Sequence, residues 1–585
     1  MVKNKVLVVG IDAMDPKIFN KLKEKLPNFN KLNYSKLKTS IPPETPVAWS
    51  AASTGTNPGK YGIYDFVNRN PENYRPKLNL AIESKGIVKT EYKSAMQGKP
   101  FWRILSENDI NSVILRWPIT FPAEEIKGKM LSGLGVVDLK GMLNSYSYYT
   151  DEEYNKDEEG SEKIIQIVVE NNEIETYLSG PLIRKSSGVK DLQEEIKIKI
   201  LDGDKISLEI KDKKVEIKKE EWSEFIKVKF KMGFLMEVHG IFKIYLMSIK
   251  PFKMYVGSMQ VDPENQIVNM TYPKEYGKEL VKNIGLFHTL GMPEDTKAVT
   301  ENKISKNIFY RQVKEIESER EKIFFYEFNK FEEGVLAFVF DEGDRLKHIF
   351  WENKVLDDSE FKVAKEIEEY YINKDKFLGK ILEKIDENTK LIVMSDHGFN
   401  SFERQVNINN WLKENEYLKI DGDSIDDVDW SKTKAYSLGF TSIYLNLEGR
   451  ESKGIVKGDE IIDEIIEKLK NLEDNGNKVF TNIYKGSEIY HGEFAKDAPD
   501  IVVGFREGYR MSWKSATGFL DKEIISDNKG KWIGDHLIDA SHVPGVLFTN
   551  FKINKEDPEL IDITPTILEL IGVKIPENID GKGLV

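Results

Sequence analysis

Six short, continuously apolar runs constrain this chain more than any other feature. They are Lys5–Gly10, Ser112–Leu115, Gly334–Phe340, Lys390–Met394, Ile501–Val503 and Gly545–Phe548. Runs this short and this uniformly apolar read as strands buried on both faces. Amphipathic helical patterns lie between them, clearest over 358–385 and 461–472. The alternation predicts an α/β fold with a largely parallel central sheet flanked by helices. In open sheets of that kind, ligands gather at the carboxyl ends of the strands.

The pattern changes between residues 161 and 272. Ile196–Lys213 alternates with period two around Asp202-Gly203-Asp204, which predicts a hairpin. Val215–Ile217, Phe225–Phe230 and Phe242–Met247 continue in that style. The expected organisation is a first catalytic part over 1–160, an inserted β-rich domain over 161–272, and a helical cap with the second catalytic part over 273–585. The charged run Asp151–Lys163 reads as a solvated linker, and Phe309–Phe328 as the longest helical stretch after the insertion.

Composition removes several chemistries. The chain has 585 residues and no cysteine, so disulfides, thiol nucleophiles, iron–sulfur clusters and a nucleophile matured from cysteine are excluded. A net charge of −13 argues against an extended nucleic-acid surface. No apolar run approaches the ~20 residues of a membrane span, and the N-terminal run is shorter than a signal peptide requires. The expectation is a cytoplasmic protein without a membrane anchor.

Acidic and histidine residues fall at the ends of the apolar runs. Asp12 follows the first, in Gly10-Ile11-Asp12-Ala13-Met14-Asp15. Asp344 and His348 follow the third, four residues apart, so on one helical turn they share a face and can chelate one ion. Asp396 and His397 follow the fourth, and His536 stands in Gly534-Asp535-His536, with His542 nearby as its rival. Thr45 precedes Pro46 and a helical stretch, which makes it the expected helix cap, at a helix start suited to anions. A metal-bound hydroxyl there becomes a nucleophile at neutral pH. Mixed carboxylate and imidazole donors suit zinc first, with manganese or iron as alternatives. Arg510 and Trp513 are weaker candidates for contact with substrate. Taken singly, each of these residues has an ordinary structural role; together, at the strand ends of one α/β chain, they point to a metal centre.

These motifs resemble those of the alkaline phosphatase superfamily, in its type I phosphodiesterase/nucleotide pyrophosphatase branch. The resemblance rests on Asp344-Arg345-Leu346-Lys347-His348, on Ser395-Asp396-His397-Gly398, and on Thr45 with Thr54-Gly55 following it. It extends to the closing segment Asp562–Leu568 with Pro576 and Gly581-Lys582, covering roughly 1–135 and 273–585. It implies two divalent ions ~4 Å apart clamping an in-line phosphoryl displacement. Asp12, Thr45, Asp396 and His397 would surround one ion, and Asp344, His348 and His536 the other. Thr45 would be the nucleophile, acting on a small, nucleotide-like phosphate ester.

The chain departs from the family pattern at Ala48, Tyr61 and Phe66, where Asn, His and Asn are usual. A phosphomonoesterase or a cofactor-independent phosphoglycerate mutase-like enzyme is the alternative, and a non-catalytic metal-binding protein a more distant one.

Overall fold

Val6 to Ile11 form a strand with no exposed residue, as an uninterrupted apolar run must if helices are to cover both faces. The computed structural model describes residues 4–85, 90–156, 160–185, 188–232, 237–356 and 360–585. The chain divides into two compact units. One comprises residues 1–119, 126–128 and 331–585; the other comprises 120–125 and 129–330.

The first unit is built on strands β1 (Lys5–Ile11), β2 (Asn33–Leu37), β3 (Ser112–Leu115), β4 (Gly334–Phe340), β5 (Thr389–Met394) and β6 (Gly545–Thr549), in the order β2-β6-β5-β1-β4-β3. The pairs β5/β1, β1/β4 and β4/β3 are parallel. β6 runs antiparallel to both β2 and β5. Gly10 is in register with Val339 on one side and Met394 on the other. The chain therefore leaves three parallel strands at one level, where Asp12, Asp344 and Asp396 follow.

Three helices complete the frame of the site. Helix α1 (Pro16–Leu22) is capped by Asp15, whose carboxylate accepts from the Ile18 N–H at 2.9 Å. Helix α2 (Thr45–Thr54) is buried along its whole length and ends on Gly55 in the left-handed conformation. It begins one residue earlier than the capping pattern suggests: Glu44 is the cap and Thr45 the first helical residue. Pro46 still sits in the first turn, where its missing N–H costs nothing. Helix α3 (Glu342–Phe350) follows β4 directly.

The run at Ile501–Val503 does form a strand, Ile501–Phe505, but it is not part of the central sheet. It lies in a separate antiparallel sheet with Ser442–Leu445 and Phe480–Lys485. An apolar run specifies burial, not which strand it pairs with. A further small sheet joins Asn400–Val406 to Gly508–Met511, Ile525–Asp527 and Gly534–Asp535, and carries the chain to His536.

The second unit holds the expected hairpin. Lys197, Ile198 and Ile200 pair with Glu209, Leu208 and Ile206, and Lys213–Lys218 pairs back on the same sheet. Ile196, Ile198, Ile206, Leu208 and Ile217 bury one face while the lysines and glutamates keep the other. The helices Tyr276–Ile284, Thr296–Thr300 and Lys306–Phe328 fall in this unit too. Among the described residues, no helix is long and apolar enough to cross a membrane. Part of the anticipated helix over 358–385 lies outside the described residues; the helix begins at Lys365.

Candidate metal centre

Backbone geometry at the strand ends aims the side chains. Asp12 donates its N–H to Phe340 O at 2.9 Å, and Ala13 next to it adopts a left-handed φ of 58°. A non-glycine residue in that region carries backbone strain, which a well-determined site can hold. Ala13 N–H donates to Asp396 Oδ1 at 3.1 Å. Ser395 donates to Met14 O and accepts from Val546 N–H, and Phe399 N–H donates to Asp15 Oδ2 at 3.0 Å. Three hydrogen bonds thus stitch the turn after β1 to the turn after β5, and a fourth ties Ser395 to β6.

The side chains converge. His348 Nε2 lies 3.2 Å from Asp344 Oδ2, as their spacing on α3 dictates. His536 Nε2 lies 3.5 Å from Asp344 Oδ1. His397 Nε2 lies 3.2 Å from Asp396 Oδ2 and 3.9 Å from Asp12 Oδ1. Thr45 Oγ1 is 3.4 Å from His397 Nε2. At this centre two groups have one donor atom per residue within 4.8 Å of one another: Asp344, His348 and His536, and Asp12, Asp344 and His397. Asp344 belongs to both. His542 stands apart, with its Nε2 2.7 Å from Thr481 Oγ1.

All three histidines present the same nitrogen. Nδ1 of His348, His397 and His536 donates to the carbonyls of Gly534, Gly398 and Pro43, at 2.7, 2.9 and 2.7 Å. A carbonyl only accepts, so Nδ1 carries the proton and Nε2 keeps its lone pair for the cluster. The carboxylates give the complementary signal. Trp49 Nε1 donates to Asp12 Oδ2 at 3.0 Å, but Asp12 Oδ1, Asp344 Oδ1 and Asp396 Oδ2 are buried without a hydrogen-bond partner among the described residues. Buried, unpartnered carboxylate oxygens are costly unless a cation meets them. The donor set therefore fits divalent metal.

The electrostatics agree. Burial pushes Asp12 well above the usual carboxylate range, and Asp396 and Asp344 beside it add to the rise. Burial also takes Asp396 up to about 8. Asp344 is the exception: against its burial, His348 and Arg345 hold it well below the ordinary value. Burial lowers His397, and takes His536 down to about 3. A cation placed here would relieve the carboxylates and suit neutral imidazoles.

Five further residues lie around the cluster. Asp535 is fully buried and accepts from the N–H groups of His536 and Leu537. Trp532 stacks on His348, with ring centroids 3.7 Å apart. Trp513 is 47% exposed and meets Trp532 edge to face. Glu44, beside Thr45, is buried and accepts from Phe66 N–H at 2.6 Å. Arg510 is 1% exposed. Of these, Arg510 and Trp513 are the weaker candidates already taken from the sequence, while Asp535, Trp532 and Glu44 carry no local signal there. At the departures from the family pattern, Tyr61 donates to Val47 O at 2.9 Å and braces α2 from below, and Ala48 is wholly buried within α2.

No curated protein sequence matches the chain. Among solved structures, murine ectonucleotide pyrophosphatase/phosphodiesterase 5 is 12% identical, with 98% of this chain and 97% of that one covered, at a TM-score of 0.41. The human counterpart is 11% identical over 99% and 97%, at a TM-score of 0.43. An inactive form of the murine protein in complex with AMP is 13% identical over 99% and 97%, also at 0.43. The family described as type I phosphodiesterase / nucleotide pyrophosphatase matches residues 6–197 and 259–536. That span reaches further into the middle of the chain than the motifs do, and includes every ligand candidate from Asp12 to His536. The chain belongs to the type I phosphodiesterase / nucleotide pyrophosphatase family of the alkaline phosphatase superfamily, and is a phosphoric ester hydrolase.

Proposed function

We propose that this chain is a divalent-metal-dependent phosphodiesterase in which Thr45 is the nucleophile and a small, nucleotide-like phosphate ester the substrate. The observation that carries the reading is the set of three buried, unpartnered carboxylate oxygens facing three histidines whose Nδ1 protons are already committed. Asp12, Asp396 and His397, with Thr45, would hold one ion; Asp344, His348 and His536 would hold the other, Asp344 lying close enough to serve both. Bound there, divalent ions would lower the pKa of the Thr45 hydroxyl and offset charge on the transferring group. Carboxylate and imidazole donors favour zinc, then manganese or iron.

Thr45 sits at the first position of α2, where N–H groups of the opening turn lack partners within the helix. Its oxygen attacks phosphorus; the bond to the departing alkoxide breaks, and that oxygen takes up a proton as it leaves. The enzyme then carries a phosphodiester between Thr45 and the remaining half of the substrate. Water attacks the same phosphorus, the bond to Thr45 Oγ1 breaks, and a phosphate monoester is released. The first-turn N–H groups orient the non-bridging oxygens throughout. Trp513, half exposed beside Trp532, supplies a flat surface for a ring on the substrate.

The test compares bis-p-nitrophenyl phosphate with p-nitrophenyl phosphate, each with zinc, manganese or chelator, on wild type and Thr45→Ala. Metal-dependent cleavage favouring the diester, lost in the variant, supports the reading. Preference for the monoester moves it to a phosphomonoesterase or mutase-like enzyme. Full activity in Thr45→Ala rules out Thr45 as nucleophile.

A further inference from the structure

Arg510 stands close to the centre, and its surroundings specify what it does there. Its guanidinium is 4.5 Å from the Trp513 ring centre, 4.5 Å from Phe440 and 5.0 Å from Phe402. Rings on that many sides leave the group 1% exposed. Its Nε lies 2.8 Å from Asp535 Oδ2, the side chains being 1% and 0% exposed. Among the described residues the guanidinium makes one hydrogen bond, a long one, 3.4 Å from Nη1 to Met511 O. A guanidinium walled in by rings and facing a buried carboxylate is poorly placed to meet a phosphate arriving from solvent.

Asp535 is the joint between Arg510 and the proposed ions. One of its oxygens accepts from the backbone N–H groups of His536 and Leu537, at 2.8 and 3.0 Å, and so fixes the turn that presents His536. The other accepts from Trp532 Nε1 at 2.7 Å and lies 3.9 Å from His348 Nδ1. Trp532 in turn lies flat on the His348 ring. A single carboxylate thus touches the supports of both histidines in the Asp344 group. It is a fourth buried acid beside Asp12, Asp344 and Asp396, and Arg510 neutralises it.

We infer that Arg510 is a positioning residue that acts through Asp535 to hold His536 and His348 in place for the ion they share with Asp344. The inference rests on the two-ion reading above. Without the guanidinium, Asp535 becomes an uncompensated buried charge, and a carboxylate in that state turns toward water. That movement releases the His536 turn and Trp532 together. Loss of an outer partner of this kind weakens metal binding by about 10- to 100-fold.

The experiment measures ion content and affinity, by elemental analysis and calorimetric titration with zinc, for wild type, Arg510→Met, Arg510→Lys and Asp535→Asn. KM and kcat on a diester are read at saturating zinc. Arg510→Met is expected to keep one ion, to bind the second about 10- to 100-fold more weakly, and to show lowered kcat with unchanged KM. Arg510→Lys, which keeps the charge, is expected to recover most of that loss. Two ions at wild-type affinity in Arg510→Met, with KM raised, would overturn the inference and make Arg510 a substrate contact. If Arg510→Met does not fold, Asp535→Asn decides: selective weakening of one ion supports the inference, and two ions at wild-type affinity overturn it. Wild-type protein that binds no zinc would instead overturn the two-ion reading on which the inference stands.

Discussion

His397 and His536 lie face to face, their ring centroids 3.7 Å apart and their planes 15° from parallel. One arrives from the turn after β5, the other from a small sheet far along the chain. Each donates its Nδ1 proton to a different backbone carbonyl, so both rings turn Nε2 into the cluster, where Asp344 belongs to the group of each. Two imidazoles stacked this closely cannot both be cationic without strong repulsion. The pair is therefore suited to binding a cation between aspartates rather than to carrying charge itself.

Removing divalent ions should destabilise the protein. Asp12, Asp344 and Asp396 would then face one another with unpartnered oxygens. Zinc at 1,000 times its dissociation constant should stabilise the fold by about 4 kcal/mol over chelated protein. Thermal melting with and without chelator checks this. Identical melting temperatures would mean that no ion binds here.

Thr45→Ala should retain both ions and lose turnover by about 1,000-fold or more, a barrier increase of about 4 kcal/mol. Thr45→Ser, which keeps the hydroxyl, should retain measurable activity. Metal analysis and diester hydrolysis on the same preparations separate the nucleophile from the ligands.

His536→Ala and His542→Ala should behave differently. The first removes a nitrogen 3.5 Å from Asp344 and should cost one ion. The second removes a partner of Thr481 and should leave ion content unchanged. Loss of an ion from His542→Ala would reverse the assignment.

The second unit should carry a pH dependence of its own. Burial pushes Asp295 up to about 6, although the Tyr255 hydroxyl and the Ala298 N–H pull the other way. Its unfolded value is about 3.9, so the native chain holds the proton more tightly. The stabilisation is complete below about pH 4 and is lost as pH rises through about 6, to the extent of about 3 kcal/mol. Asp295→Asn keeps the helix cap and the acceptor for Tyr255 without the titration. Urea unfolding between pH 4 and pH 7 should show a downward slope in wild type that is reduced in the variant.

Gly10→Ala should damage stability and the centre together. A Cβ there would lie 2.3 Å from Trp49 Cη2 and 2.9 Å from Val339 Cγ2. Overpacking of this kind costs about 1–3 kcal/mol. Trp49 is the residue that donates to Asp12, so displacing it moves a proposed ligand. A lower melting temperature with weaker zinc binding is expected; wild-type zinc affinity would show that Asp12 does not depend on Trp49.

The central strands were legible because their runs are apolar without interruption, and burial on both faces requires that. Ser112–Leu115 and Gly334–Phe340 have the anticipated bounds, and Lys5–Gly10 is longer by one residue. Pairing was not legible: Gly545–Thr549 and Ile501–Phe505 look alike as sequence, yet one completes the central sheet and the other joins a separate antiparallel one. Asp344 and His348 could be matched to each other because helical spacing fixes them on one face. Asp535, Trp532 and Glu44 could not be read, because nothing local distinguishes an acid or ring that supports a ligand from one that covers a surface. Only the fold brings Arg510 to Asp535.

Strand β6, held antiparallel between β2 and β5, closes the sheet with a segment that the ribosome makes long after β1. His536 comes just before that strand, so a growing chain already carries six of the seven clustered residues with the set still incomplete. Acids that need a cation would wait, crowded and unmatched, until the last imidazole arrives. On the proposed reading, synthesis imposes a delay between the appearance of Thr45 and the completion of the centre around it, and a cut between Asp396 and His536 that let the later segment separate would undo that completion. Phosphate-ester cleavage in this protein is in that sense a property of the nearly whole chain, withheld from its fragments.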